Sequence, residues 1–330
     1  MRFSSYAALT IVFPLLAACS NAMPAQSVMP QTGSAVPTHV APERSPSGSL
    51  TELFNLDYSN GAITVFTIAN GKATATTTFT PGHGHAQGLA SDAQGRIYTT
   101  VTKPKAQKCK ACVEVFTDTG TPIDRLEAPV LKGASGAPDL TDVSVDAAGN
   151  VYVSDYGQQA VYFFPHGKRT KHGPTVVVQN SSNAASVLAT PNGQTVFISG
   201  GCGFASVAPF TRVGRGKYTQ GSCFGIGTIA LIGGADDNQE DIITPVDGAP
   251  GLVSVSSPNG GSSFTVPDRL GSISGVALNG DASIAYVADA HKEVVYAFAR
   301  PANGWTSGKQ PKLLATYKGF KDLDIIAIPE

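Results

Sequence analysis

Six short segments, each standing just before an apolar run, hold the side chains with the most chemical capacity in this sequence. They are His83-Gly84-His85-Ala86-Gln87, Asp139-Leu140-Thr141-Asp142, Ser182-Asn183, Phe224-Gly225, Ser272-Ile273-Ser274 and Lys321-Asp322. Histidine exchanges protons near neutrality and ligates metals, while a carboxylate orients an imidazole or shares a cation. The candidate ligand-binding residues are therefore His83, His85, Gln87, Asp139, Asp142 and Asp322, provided that the six segments open onto one place. The alternative is that the two histidines only cap a polar loop. No Ser nucleophile elbow, phosphate-cradling Walker loop or His-Glu-x-x-His pattern occurs, so no residue is assigned a catalytic or metal-ligating role.

What must position these residues is a repeat. The apolar runs Gly88–Ser91, Asp142–Val145, Ser186–Ala189, Thr228–Ile232, Gly275–Leu278 and Asp324–Ile328 start 54, 44, 42, 47 and 49 residues apart. A strand-built period of this length predicts an all-β, six-bladed β-propeller with one four-stranded sheet per repeat. After four of the runs come a tight turn and a second strand: Asp92–Thr99, Asp146–Val153, Thr190–Phe197 and Asn279–Val287. Gly or Asn in the turn supplies positive φ, and Ile, Val and Tyr suit the pleated surface beyond it. A third strand recurs at Val113–Thr117, Ala160–Phe164, Ser206–Phe210, Leu252–Ser257 and Val294–Phe298. The N-terminal stretch Leu50–Thr67 reads as a second and third strand with no first. Residues 324–330 and 50–87 together make one period of 45, so the C-terminal run is expected to insert as the inner strand of the N-terminal blade and close the ring. Closure removes two open sheet edges.

Composition agrees with such a domain. Lys plus Arg number 23 against 24 Asp plus Glu, charged residues are 14% and Gly numbers 36, a balance suited to short strands and many turns. Near-neutral charge argues against nucleic acid as a partner, which demands a basic face. The basic cluster Lys103–Lys110 and the group Lys168, Arg169 and Lys171 read as solvated loops.

At the N-terminus, Arg2 precedes an apolar stretch over Ala7–Ala18, too short to span a bilayer comfortably. It ends in Leu16-Ala17-Ala18-Cys19, which resembles a bacterial lipobox. The resemblance implies a signal peptide over 1–18, cleavage before Cys19 and lipidation of its thiol, with acyl chains such as palmitate giving firm anchoring. Residues 19–49, rich in Pro, Ser, Thr and Ala, read as a disordered tether, and 50–330 as the propeller. The expected location is the bacterial cell envelope, facing periplasm or exterior, with the membrane touched through the lipid alone. Four cysteines remain, and an even number in an exported domain suggests two disulfides. The pairs Cys109 with Cys112 and Cys202 with Cys223 are favoured because neither crosses the ring. Cys109-Lys110-Ala111-Cys112 also matches a redox pattern, without the following helix that lowers a thiol pKa.

Asp57, Asp155 and Asp289 recur at the end of the second strand in three blades, and a recurring residue solves a local backbone problem. Each is expected to cap its turn.

Asp146–Phe164, and less closely Asn279–Phe298, resemble NHL-type repeats: a Gly turn, a Val-Tyr-Val strand, an Asp-containing turn and a Val-Tyr-Phe strand. Broader likeness is to six-bladed gluconolactonase-like and streptogramin-lyase-like propellers. That resemblance implies a fold shared by enzymes and binding modules. Gluconolactonase-like enzymes begin a blade with a metal-binding Glu-Gly-Pro, whereas this chain has Gln87-Gly88-Leu89. The favoured reading is a monomeric, non-catalytic lipoprotein that needs no cofactor and binds an envelope protein, peptide or glycan. The alternative is an envelope hydrolase or lyase, with His83 or His85 as general base and Asp139, Asp142 or Asp322 holding a divalent cation such as calcium.

Overall fold

The computed structural model describes residues 50–328, apart from 83, 103–110, 135, 170, 172, 180–183, 200–205, 215–216, 226–233, 236–241, 247–248, 258–259, 269–270 and 280. The leader, Cys19, the tether, His83, Cys109, Cys202, Ser182-Asn183 and the run Thr228–Ile232 therefore lie outside the described residues.

The chain opens with β1 (Glu52–Asp57), β2 (Ala62–Ala69) and β3 (Lys72–Phe79), an antiparallel meander. Its hairpins follow from turn chemistry. Asn70 and Gly71 both take positive φ, the Asn-Gly geometry that lets two strands reverse with matching twist. The second unit is β4 (His85–Ser91), β5 (Ile97–Thr102), β6 (Cys112–Phe116) and β7 (Pro122–Glu127). Next come β8 (Leu140–Val145), β9 (Val151–Asp155), β10 (Ala160–Phe164) and β11 (Thr175–Gln179), then β12 (Val187–Ala189), β13 (Thr195–Ser199), β14 (Ser206–Gly214) and β15 (Lys217–Gln220). Phe224-Gly225, read from sequence as a channel segment, forms the short strand β16 beside β14. The fifth unit is β17 (Gly234–Ala235), β18 (Ile242–Pro245), β19 (Leu252–Ser257) and β20 (Gly260–Thr265). The sixth is β21 (Ile273–Leu278), β22 (Ile284–Asp289), β23 (Val294–Ala299) and β24 (Lys312–Lys318).

Closure occurs as the period predicts. The last strand, β25 (Ile325–Ala327), pairs antiparallel with β1, setting Phe54 against Ala327, Asn55 against Ile326 and Leu56 against Ile325. It is the inner strand of the first blade, and the result is an all-β propeller.

The core lies between blades, with one apolar cluster at each interface. Phe54, Ile63, Leu89 and Phe116 join the first and second blades. Tyr98, Val113, Val143 and Tyr162 join the second and third, and Phe163, Val187, Ile198 and Phe210 the third and fourth. Leu188, Phe197, Val207 and Ile242 join the fourth and fifth. Val253, Phe264, Val276 and Phe298, with Trp305 beside them, join the fifth and sixth. Leu53, Phe66, Tyr286 and Ile326 complete the circle. The alternating strands bury both faces because each blade is sandwiched by two others.

Inner strands approach one another closely. A Cβ at Gly88 would stand 2.7 Å from Asp142 Cα, and one at Gly275 would stand 2.7 Å from the Asp324 carbonyl oxygen. Only glycine fits at these equivalent positions of the second and sixth blades, because backbone occupies the space.

Candidate functional site

Antiparallel pairing places the start of each inner strand beside the end of its second strand, as Leu140 beside Asp155 and Ile273 beside Asp289. This end of the ring is the mouth face. The channel behind it is a cavity of ≈ 120 Å³ walled by β4, β8, β12, β21 and β25, with Leu89, Val143, Leu188, Leu278 and Ile326 among its lining residues. Such a space holds a few waters rather than a sizeable substrate.

Asp142 is the acidic residue of that lining. Its Oδ1 accepts from its neighbour Val143 N–H at 2.8 Å and its Oδ2 from Val187 N–H, on the next inner strand, at 3.1 Å. Burial pushes its carboxyl up to about 7, against the two N–H bonds that favour the charged form. Asp142 thus ties the third blade to the fourth while facing the channel.

The other described candidates do not converge there. His85 Nε2 bonds the Tyr58 carbonyl at 2.8 Å, its ring meets the Tyr58 ring edge-on with centroids 6.1 Å apart, and its Nδ1 lies over Gly61. The imidazole is committed to the β1–β2 turn. Gln87 sits half-buried in a bulge of β4. Asp139 is exposed, and its backbone N–H donates to Asp155 Oδ1 at 2.9 Å. Asp322 has φ of +50°, accepts from Asn55 Nδ2 through its carbonyl at 2.8 Å, and lines a separate cavity with Asp57 and Asn60. Among the described residues, Asp142 is the one of these candidates that lines the channel. His85 is held by its own turn, while the bonds at Asp139 and Asp322 are made by their backbones.

The recurring aspartates do what their repetition implies. Asp57 Oδ1 accepts from Ser59 N–H at 2.9 Å, Asp155 Oδ1 from Gln158 N–H at 2.9 Å, and Asp289 Oδ1 from His291 N–H at 3.0 Å. Capping the turn in this way turns the next side chain outward, so Tyr58 is 51% and Tyr156 48% exposed. Their only mark in the sequence is the repeated pair Asp57-Tyr58 and Asp155-Tyr156. Tyr58 rests on His85, and Tyr156 N–H donates to the Asp139 carbonyl at 2.9 Å, so both flank the candidate polar residues on the mouth face. An exposed aromatic ring offers a large, stiff, amphipathic surface to a ligand.

Of the four cysteines assigned to disulfides, Cys112 is fully buried on β6 and Cys223 precedes β16. The favoured partners, Cys109 and Cys202, lie outside the described residues.

No family model matches the chain, and no curated protein matches it. Among solved structures it is similar to a functionally unknown protein from Desulfotomaculum acetoxidans, with a TM-score of 0.47, 12% identity, and 85% of this chain and 99% of that chain covered. It is similar to a streptogramin B lyase, with a TM-score of 0.45, 11% identity, and 73% and 70% covered. A protein from Bacteroides uniformis provisionally named a 6-phosphogluconolactonase gives a TM-score of 0.46, 16% identity, and 82% and 83% covered. The fold rests on the sheet order described above.

Proposed function

We propose that this protein is a non-catalytic cell-envelope lipoprotein, anchored through Cys19, whose NHL-like propeller binds an envelope protein, peptide or glycan on its mouth face. The observation that carries the reading is the contrast at that face. The His85 imidazole is held by the Tyr58 carbonyl and the Asp142 carboxylate by two strand N–H groups, while Tyr58 and Tyr156 stand out at equivalent positions of two blades. The chain works as a monomer, with the disulfides Cys109–Cys112 and Cys202–Cys223 clipping blade insertions and no cofactor required. The full chain, immobilised and offered envelope extract, peptide arrays and glycan arrays, is expected to capture a ligand. Replacing both tyrosines, Tyr58→Ala with Tyr156→Ala, is expected to weaken capture at least about tenfold, as loss of exposed aromatic anchors does. Undiminished capture by the double variant would remove the mouth face from the proposal.

Anchoring makes its own prediction. Mass spectrometry of the mature N-terminus is expected to find a lipid-modified Cys19, and Cys19→Ala to shift the protein from the membrane to the soluble fraction. An unmodified Cys19 on a membrane-free protein contradicts the anchor.

One observation favours the second reading, a hydrolase or lyase. Asp142 faces the channel with its carboxyl pushed to about 7, the poise a general acid or base needs near neutrality. Under that reading Asp142→Asn abolishes turnover of a lactone substrate; under the binding reading there is no turnover to lose.

A further inference from the structure

We propose that Asp268, Asp289 and His291 form a binding site for one divalent transition-metal cation, with zinc the ion best suited to the donor set, at the mouth face of the sixth blade. One ligand atom from each, two carboxylate oxygens and one imidazole nitrogen, lies within 4.8 Å of the others. His291 Nδ1 is 3.0 Å from Asp268 Oδ2. Mixed imidazole and carboxylate donors suit zinc better than calcium or magnesium, which prefer oxygen alone.

The second observation concerns Asp289 itself. Its side chain is fully buried, and among the described residues Oδ2 has no hydrogen-bond partner, whereas Oδ1 holds the His291 and Lys292 N–H groups. The equivalent aspartates leave no such vacancy. Asp155 Oδ2 accepts from Gln158 Nε2 at 2.8 Å and from the Tyr162 hydroxyl at 3.0 Å, and Asp57 Oδ2 accepts from Asn60 Nδ2. The sixth blade keeps the repeated aspartate but places no such group on this oxygen among the described residues, and an unpaired buried carboxylate oxygen is costly without a cation. Gly271 packs its backbone against this carboxylate: a Cβ there would stand 2.7 Å from Asp289 Oδ2 and 2.9 Å from the Asp268 carbonyl oxygen, so only glycine fits beside it.

Geometry sets the adjustment required. In a tetrahedral zinc site with bonds of about 2.1 Å the ligand atoms stand about 3.4 Å apart, so a pair separated by as much as 4.8 Å must close by at most about 1.4 Å. The His291 side chain is 51% exposed and free to swing by that amount. Lys292 Nζ, 3.8 Å from Asp268 Oδ2, now shares that carboxylate, and its side chain is 53% exposed and can move aside. Three protein ligands leave a fourth position for water or for a group on a bound partner.

The test is calorimetric titration of the metal-stripped full chain with zinc chloride. One equivalent is expected to bind, and zinc is expected to raise the thermal midpoint with the logarithm of its excess. His291→Ala and Asp268→Asn should each weaken binding at least about tenfold, while Lys292→Ala, which removes a competing cation, should tighten it. If His291→Ala does not fold, His291→Gln serves the same purpose. Absence of a stoichiometric zinc site, or a site of unchanged affinity in the His291 and Asp268 variants, overturns the proposal; the latter result would move the metal to other donors. This test is independent of ligand capture at the tyrosines.

Discussion

A chain ending at residue 323 is expected to lose the cooperative thermal transition of the whole domain. Truncation removes β25, whose pairing with β1 supplies the inner strand of the first blade. Ile326, Ala327 and Ile328 are each less than a tenth exposed, and Ile326 and Ala327 belong to the clusters on either side of the first blade. Other bonds go with them: Tyr58 N–H to Asp324 Oδ2 at 2.9 Å, Asp324 N–H to Asn55 Oδ1 at 2.9 Å, and the Ser91 hydroxyl to the Ile328 carbonyl. Loss of one buried isoleucine side chain costs about 2–5 kcal/mol, so losing two, with the strand's hydrogen bonds, reaches the whole net stability of an ordinary domain, about 5–15 kcal/mol. Loss of β25 also exposes β1 as an unpaired edge, so the truncated chain should aggregate. Calorimetry checks this, and a melt matching that of the full chain would mean that the strand contributes nothing.

The second large effect is a dependence of stability on pH set by Asp142. Burial raises its carboxyl from the ordinary 3.8 to about 7 in the folded chain. The unfolded chain therefore ionises first as pH rises. Stability is greatest below about pH 4, falls between about 4 and 7 as only the unfolded chain loses its proton, and levels off above that. That rise corresponds to a loss on the order of 4 kcal/mol across the window. Asp142→Asn carries no titrating group, so its urea midpoint should lack this component of the slope. At pH 8 it should be the more stable protein by a few kcal/mol, less about 1 kcal/mol for the N–H that the amide nitrogen cannot accept. Identical slopes in the two proteins would show that the carboxyl ionises freely in the fold.

The ring was legible in the sequence because a repeat writes itself several times over. Ala160–Phe164 and Leu252–Ser257 appear as strands with the bounds read from their composition, and the join of the two termini followed from a partial period at each end. The recurring aspartates were legible for the same reason. The single shared pocket was not, because nothing local says whether a polar side chain before a strand faces the channel or caps its own turn. His85 bends back to the Tyr58 carbonyl, and Asp322 turns away on a left-handed backbone. The Asp268, Asp289 and His291 cluster was hidden differently. His291 reads as an outer-loop residue, and its neighbours meet only because Asp268 precedes β21 in the chain while Asp289 ends β22 beside it. That juxtaposition is tertiary and has no sequence period.

The most direct measurement compares ligand capture by the full chain, by the Tyr58→Ala/Tyr156→Ala variant and by Asp142→Asn under one set of conditions. Binding on the mouth face predicts that the tyrosine variant loses capture while Asp142→Asn retains it. Capture that survives loss of both tyrosines but vanishes with the Asp142 carboxylate would place the working site in the channel and contradict the proposed function.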